Sequence, residues 1–363
     1  MADRPADAAP TGAGSPTGAA ASTGAAVPTG AADPIGVGVI GLGEIGQFHL
    51  RGYERSANAR VAAVTDLNAE LLARTARETG ARAHASIASL LADEAVELVS
   101  LCLPHHLHLP VALEAIAAGK HLLVEKPLAI TVAECDEIVA AAEAAGVTVG
   151  VQHNQLFHGP HVRAQELIDS GAIGRPVSLR LRLGIGGKLG GWRADPRVVG
   201  GGILFDAGVH RFYMARRLFG EIAEVRALVD RGPDEGEDIA IVALRFENGA
   251  LGVIDAGYHC PPGAFDDAIE IAGDRGMLFL SGCEAEFEGF RTGPALRRYD
   301  GAWHDERVPQ GDWADSVAAS IDAFVRALAA GEQPPVTAAE GRRVVELIHA
   351  AYAAAGAREG APA

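Results

Sequence analysis

The stretch Val37-Gly38-Val39-Ile40-Gly41-Leu42-Gly43-Glu44-Ile45-Gly46 decides how the rest of the chain is read. Its first residues form a short apolar run, and Gly41, Gly43 and Gly46 follow where a strand would turn into a helix beginning near Glu44. Without side chains there, the backbone can turn tightly and a pyrophosphate can approach a helix N-terminus. The free amides and dipole of that terminus favour negative charge. A glycine triplet is also an ordinary strand-to-helix turn, so its surroundings must decide. Asp66 closes the next strand, twenty residues after Gly46, where a carboxylate hydrogen-bonds an adenosine ribose. A carboxylate there repels a 2′-phosphate, and Leu67 and Asn68 bring no cation to compensate, which favours NAD over NADP. The competing role for Asp66 is a helix N-cap.

Outward from this loop, apolar runs alternate with amphipathic stretches. Gly36–Ile40, Arg60–Thr65, Glu97–Leu103, His121–Val124 and Val147–Val151 read as buried strands, with helices near Glu44–Arg55, Ala69–Thr79, Leu107–Ala118 and Thr131–Ala145. Nearly continuous apolar strands between helices predict a parallel sheet covered on both faces. Beyond Val151 the rhythm changes. A helix about Gly159–Ser170 leads to a Gly-rich loop and a further helix after Phe205. Strands then follow at Val225–Val229, Asp238–Phe246, Ala250–Gly257, Ala268–Ala272 and Met277–Leu280, with Glu247-Asn248-Gly249 as a hairpin turn. That half reads as an antiparallel sheet with helices on one face. Trp313–Ala330 and Ala338–Ala355 close the chain, separated by Pro334-Pro335.

Before all this stand residues 1–34, where Thr-Gly-Ala recurs at Thr11, Thr17, Thr23 and Thr29. Val27 is the only β-branched aliphatic residue there, too little apolar surface to offset chain entropy, so the segment reads as a disordered tail. Composition excludes other classes. The chain has 363 residues, enough for two domains, with 31 basic and 47 acidic side chains and a net charge of −16. That field repels phosphate backbones and acidic membranes, so neither nucleic acid nor a membrane surface is expected as a partner. Cys102, Cys135, Cys260 and Cys283 are scattered without a CxxC pair, which argues against a disulfide framework or a zinc site. With no apolar run of transmembrane length and no leader pattern, the expected compartment is the cytoplasm.

Two further motifs carry chemistry. Glu125-Lys126-Pro127 follows the strand at His121–Val124, at the carboxyl edge of the sheet where doubly wound folds bind ligands. Proline restricts Lys126 to extended backbone, and a lysine beside a reacting hydroxyl favours the alkoxide. By itself Glu-Lys-Pro is a common surface turn. The other motif is Gly200-Gly201-Gly202-Ile203-Leu204-Phe205-Asp206-Ala207-Gly208-Val209-His210. If Phe205–Phe212 is helical, Asp206 and His210 share a face, pairing a hydroxyl-binding carboxylate with an imidazole that exchanges protons near neutrality. The plainer alternative is a surface helix with an acidic first turn and an incidental histidine.

From Ile35 to about Ala355 the chain resembles the glucose-fructose oxidoreductase, inositol dehydrogenase and rhizopine-catabolism (MocA-like) oxidoreductases. The residues that carry the resemblance are Gly41-Leu42-Gly43-Glu44-Ile45-Gly46, the run Ala118–Leu128 containing Glu125-Lys126-Pro127, Gly171-Ala172-Ile173-Gly174-Arg175-Pro176, and Gly200–His210. The resemblance implies an α/β fold: a doubly wound Rossmann domain over 35–154, then an α/β domain with a largely antiparallel open sheet over 155–357 that commonly forms homodimers or homotetramers. It implies NAD as cofactor and a polyol or sugar as substrate, oxidised reversibly at a secondary alcohol. Lys126 would stabilise the alkoxide, Asp206 would position substrate and His210 would exchange the proton. Pro104, His108 and Glu125 would line the nicotinamide side with Asn154 near it, and Trp192-Arg193 would reach cofactor or substrate. The Lys126–Pro127 bond is expected to be cis. Two positions depart from the family pattern. Leu156 stands where an arginine is frequent, and Tyr213 where an aspartate is frequent, so no particular sugar carries over.

His105, His106 and His108, and again His153, His158 and His161, form clusters, but no zinc-protease pattern accompanies them and no metal is expected. His105 and His106 read instead as pocket walls on the loop beside the nicotinamide. Two other functions are compatible with the same motifs: a glycosidase using tightly bound NAD for transient oxidation, and a non-catalytic NAD-binding regulator. Retention of Lys126 and His210 argues against the regulator. Specificity is expected to rest on the loop Gly184–Arg197 and on Tyr258 and His259.

Overall fold

A computed structural model describes residues 33–187, 190–282, 294–308 and 311–356. Nearly all of the N-terminal tail, Cys283, and Lys188 and Leu189 of the loop Gly184–Arg197 lie outside these residues. The first sheet has six parallel strands, β1 (Ile35–Ile40), β2 (Ala59–Thr65), β3 (Arg82–Ala83), β4 (Leu98–Leu101), β5 (His121–Glu125) and β6 (Val149–Gln152), in the order β3-β2-β1-β4-β5-β6. Strand order reverses between β1 and β4, which opens a crevice at their carboxyl ends. Val37, Val39, Leu98, Val99, Leu122 and Leu123 are buried, as expected for strands covered on both faces. Helices α1 (Glu44–Arg55), α2 (Ala69–Thr79), α3 (Ile87–Leu91), α4 (His108–Ala117) and α5 (Val132–Ala145) cross between them. Local chemistry sets their ends. Thr131 and Glu134 form a capping box on α5, and Gly146 ends it in the left-handed conformation. The two-residue β3 and the single-turn α3 are additions to the elements read from sequence.

The second sheet has eight strands in the order β14-β13-β12-β11-β7-β10-β9-β8: β7 (Pro176–Ile185), β8 (Ile222–Val229), β9 (Ile239–Phe246), β10 (Leu251–Gly257), β11 (Phe265–Gly273), β12 (Met277–Ser281), β13 (Leu296–Tyr299) and β14 (Trp303–Asp305). Among the described residues every pairing in it is antiparallel except β7 with β10. The hairpin between β9 and β10 forms where expected, with Gly249 at φ 85°. β7 is a difference from the sequence reading, which had loop there. Its alternation is regular: Leu179, Leu181 and Leu183 are fully buried, while Arg180 and Arg182 point outward to Glu270, and Arg182 also to Asp266. The outward arginines gave a half-buried strand a polar look, although it holds the centre of the sheet.

α6 (Gly159–Asp169) and α8 (Val209–Phe219), separated by the single-turn α7 (Pro196–Val199), pack on the inner face of this sheet. On the outer face Leu228, Ile239, Ile241 and Leu251 are exposed. The last two helices return to the first sheet. α9 (Trp313–Ala330) lies along α1, where Gly52 admits Ile321, Arg55 pairs with Asp315 at 2.7 Å, and the Ser56 hydroxyl donates to Asp322 at 2.8 Å. α10 (Ala338–Gly356) packs against α5 and β8, and just before it the Val151 amide donates to the carbonyl of Val336. These returns hold the two sheets together around one pocket. Among the described residues no helix is long and apolar enough to cross a membrane.

Candidate active site

The glycine loop after β1 has the shape of a cradle. Gly41 sits at φ 88°, and a Cβ there would lie 2.2 Å from the carbonyl oxygen of Cys102. A Cβ on Gly46 would lie 2.1 Å from the oxygen of Gly41, whereas Gly43 faces open space. Gly43 also precedes α1 with no side-chain cap, leaving amides free for an anion. The Asp66 carboxylate accepts from the Leu42 amide at 2.7 Å, which ties it to this loop, and from the Asn68 amide at 2.7 Å. The N-cap of α2 is Asn68, accepting from Glu70 and Leu71, so capping is not the role of Asp66. Open space at Gly43, an uncapped helix start and a carboxylate beside the loop together fit a dinucleotide.

Along the same carboxyl edge a pocket of about 280 Å³ opens between the two sheets. Of the residues singled out from sequence, Glu44, Ile45, His105, Glu125, Lys126, Asn154, Trp192, Arg193, Asp206 and His210 line it. The Lys126–Pro127 bond is cis, as the resemblance implied. The Lys126 ammonium donates to the main-chain oxygen of Asp206 at 2.6 Å. The Asp206 carboxylate accepts from the Tyr258 hydroxyl at 2.5 Å and from Arg193 Nε at 3.2 Å. The expected helix over Phe205–Phe212 is instead a π-helical turn, Leu204–Gly208, leading into α8. Such turns recur at functional sites. Asp206 and His210 straddle the change of winding and still face one pocket.

His210 is buried, and its Nδ1 has no hydrogen-bond partner among the described residues. Burial first, and then the charge of Lys126, hold its pKa well below the ordinary histidine value, so the ring is neutral and able to accept a proton. His153, edge-on to His210 with ring centroids 5.7 Å apart, is pulled down to about 3 by the same two causes. His153 stacks on Tyr213 at 4.3 Å, at one of the two positions that depart from the family pattern.

The remaining candidates differ in where they stand. His105 walls the pocket, its Nδ1 2.8 Å from the Val199 oxygen and its ring edge-on to Trp192. His106 is exposed and not a wall. His108 is fully buried behind the pocket, between the carbonyl oxygens of Pro127 at 2.8 Å and Leu103 at 2.9 Å. It supports the turn that presents Lys126. Pro104 begins the turn His105–Leu107 and is not on the pocket wall. Gly41, Leu42, Gly43, Gly46 and Asp66 belong to the cradle. Among the described residues no group of three or more His, Cys, Asp or Glu could hold a metal ion.

Several contributors escaped the sequence reading. Phe48, Trp313, Val317, Ile185 and Phe265 add apolar side chains to the pocket lining. His49, fully buried on α1, has Nδ1 2.6 Å from the Ser100 hydroxyl and Nε2 2.9 Å from Glu125. Burial opposes its protonation, but Cys102 and Glu125 outweigh that and raise its pKa to about 10. Its signal was available: His49 lies three residues past Gly46, on the face of α1 turned to the sheet.

A dinucleotide cradle at the switch point of a parallel sheet, opening on a pocket that holds a lysine and a neutral histidine, defines a dinucleotide-dependent oxidoreductase. Residues 35–153 match the oxidoreductase family with an NAD-binding Rossmann fold, and residues 161–279 match the GFO/IDH/MocA C-terminal domain. Inositol 2-dehydrogenase 2 of Saccharopolyspora erythraea is 30% identical over 324 residues, covering 84% of this chain and 88% of the relative. Myo-inositol 2-dehydrogenase of Thermotoga maritima is 28% identical over 339 residues, covering 87% and 94%. The crystal structure of GenD2 from gentamicin A biosynthesis, in complex with NAD, matches with a TM-score of 0.77 at 27% identity, covering 91% of this chain and 97% of that one. The chain belongs to the GFO/IDH/MocA family of NAD-binding oxidoreductases.

Proposed function

We propose that this protein reversibly oxidises a secondary alcohol of a sugar, an inositol or a sugar derivative. NAD, when bound, supplies the hydride acceptor. Gly41 to Gly46 and Asp66 would hold its pyrophosphate and ribose, with His105, Glu125 and Asn154 on the nicotinamide side and His108 supporting them from behind. Neutral His210 takes the hydroxyl proton, while the Lys126 ammonium stabilises the oxygen as it gains charge. Asp206, steadied by Tyr258 and Arg193, accepts from a substrate hydroxyl, and Trp192 offers a flat apolar face to the ring. The observation that carries this reading is the pairing, in one pocket, of Lys126 with a neutral His210 whose Nδ1 has no hydrogen-bond partner among the described residues.

The two inositol dehydrogenases support a polyol ring as substrate. The exposed apolar residues on the outer face of the second sheet support a homodimer or homotetramer through that face. Cys102, Cys135 and Cys260 are free thiols, in keeping with work in the reducing cytoplasm. The test is a screen of inositols, aldoses and nucleotide sugars with NAD, read as NADH absorbance. Accumulation of free NADH on at least one of them is expected. A glycosidase that returns its hydride each cycle would release sugar with no net NADH, and that result would overturn the proposal.

A further inference from the structure

Glu237 lies outside the pocket, just before β9, and is completely buried. One of its carboxylate oxygens accepts from the Gly202 amide at 2.9 Å. The other accepts from the Leu204 amide at 2.9 Å and from the Tyr352 hydroxyl at 2.8 Å. Its main-chain oxygen accepts from the Ile203 amide at 2.9 Å. Three consecutive amides at the head of the helical run bearing Asp206 and His210 are therefore satisfied by one residue. At a helix start those amides have no partner within the helix.

The glycines make this approach possible. A Cβ on Gly202 would lie 1.9 Å from the Glu237 main-chain oxygen, and one on Gly201 would lie 2.3 Å from the Tyr352 hydroxyl. Burying a carboxylate is costly unless hydrogen bonds meet it. Here two amides, a hydroxyl and the positive end of a helical run do so. So firm a grip on the backbone, four residues before Asp206, bears on where the Asp206 carbonyl meets Lys126.

We infer that Glu237 is the positioning residue of the proton-handling group: it fixes the run Gly202–His210 so that Asp206 and His210 face Lys126. This rests on the role proposed above for Lys126, Asp206 and His210. Glu237→Gln keeps the shape but replaces one acceptor with an NH2 that must face an amide N–H or the tyrosine hydroxyl. A displacement of about 1 Å costs on the order of 10²-fold in turnover. In Glu237→Gln, kcat should fall by about that factor. NAD affinity should stay within about twofold, since the cradle lies on the other sheet.

Hydrogen exchange at the amides of residues 202–206 should accelerate in Glu237→Gln, with β1 to β6 unchanged. Should that variant not fold, Tyr352→Phe, which keeps the carboxylate, should give a smaller loss of kcat and faster exchange over the same residues. Wild-type kcat in a folded Glu237→Gln, or unchanged exchange over residues 202–206, overturns the inference. A wild-type protein that oxidises no polyol sinks the proposed function instead, and the exchange measurement still decides whether Glu237 holds the run.

Discussion

His210 loses its charge to its surroundings: burial and the neighbouring Lys126 hold its pKa well below 6.5. A base must be neutral to accept a proton, so this residue should stay competent as the pH falls through the range where free histidine titrates. The pH profile of kcat/KM for alcohol oxidation is therefore expected to remain level through 6.5 and to decline only at lower pH. An acid limb centred on the ordinary histidine value would contradict it. Lys126→Ala and His210→Ala should each lower kcat/KM by about 10²- to 10⁴-fold, with NAD binding, followed by fluorescence titration, near the wild-type value. Asp66→Asn removes the charge that would face a 2′-phosphate, so the preference for NAD over NADP should shrink. An unchanged ratio of the two kcat/KM values would place the discrimination elsewhere. The motifs made Lys126, Asp206 and His210 legible because each sits in a short local pattern. Tyr258 and Arg193 reach the Asp206 carboxylate from 52 and 13 positions away, and no local pattern records such a meeting.

Elements with one continuous periodicity were the legible ones: α1, α2 and α9 run over the residues that the apolar spacing marks. β7 was missed although its leucines alternate, because the residues between them are arginines whose partners Glu270 and Asp266 come from β11. The docking of α9 on α1 was also invisible, since an amphipathic helix declares which face it buries but not against what. That docking has consequences for the pocket, because Trp313 and Val317 ride on α9 while Phe48 rides on α1, and Phe48 and Trp313 meet edge-on at 4.7 Å. A Cβ on Gly52 would lie 2.6 Å from Ile321 Cδ1. Gly52→Val should push the helices apart, lowering stability by about 1–3 kcal/mol and raising the substrate KM more than it lowers kcat. Urea denaturation together with steady-state kinetics checks both, and a variant with both properties intact would show that the contact does not set the pocket wall.

Across the whole molecule the buried histidines oppose one another in their response to pH. His105, His108, His153, His161 and His210 are all held below 6.5, chiefly by burial, with His153 down to about 3. Above 6.5 these rings are neutral whether the chain is folded or not, so their contribution is fully present. As the pH falls below 6.5 the unfolded chain takes up protons that the folded one refuses, and stability drops by up to about 1.4 kcal/mol per pH unit for each ring. His49 runs the other way: raised to about 10, it favours the folded state below 6.5 and loses that contribution as the pH climbs through 10. One raised ring against these five lowered ones, with the half-buried His121 lowered by burial as well, leaves acid as the weaker side, because each lowered ring takes its own share from a net stability of only about 5–15 kcal/mol. The urea midpoint should therefore fall steeply from neutrality to about one unit below 6.5, and much less over the same span above neutrality. His153→Phe retains a ring to stack on Tyr213 and takes no proton, so in that variant the acid slope should become shallower by up to one proton's worth. An acid slope identical to the wild type would mean that burial of His153 does not suppress its charge.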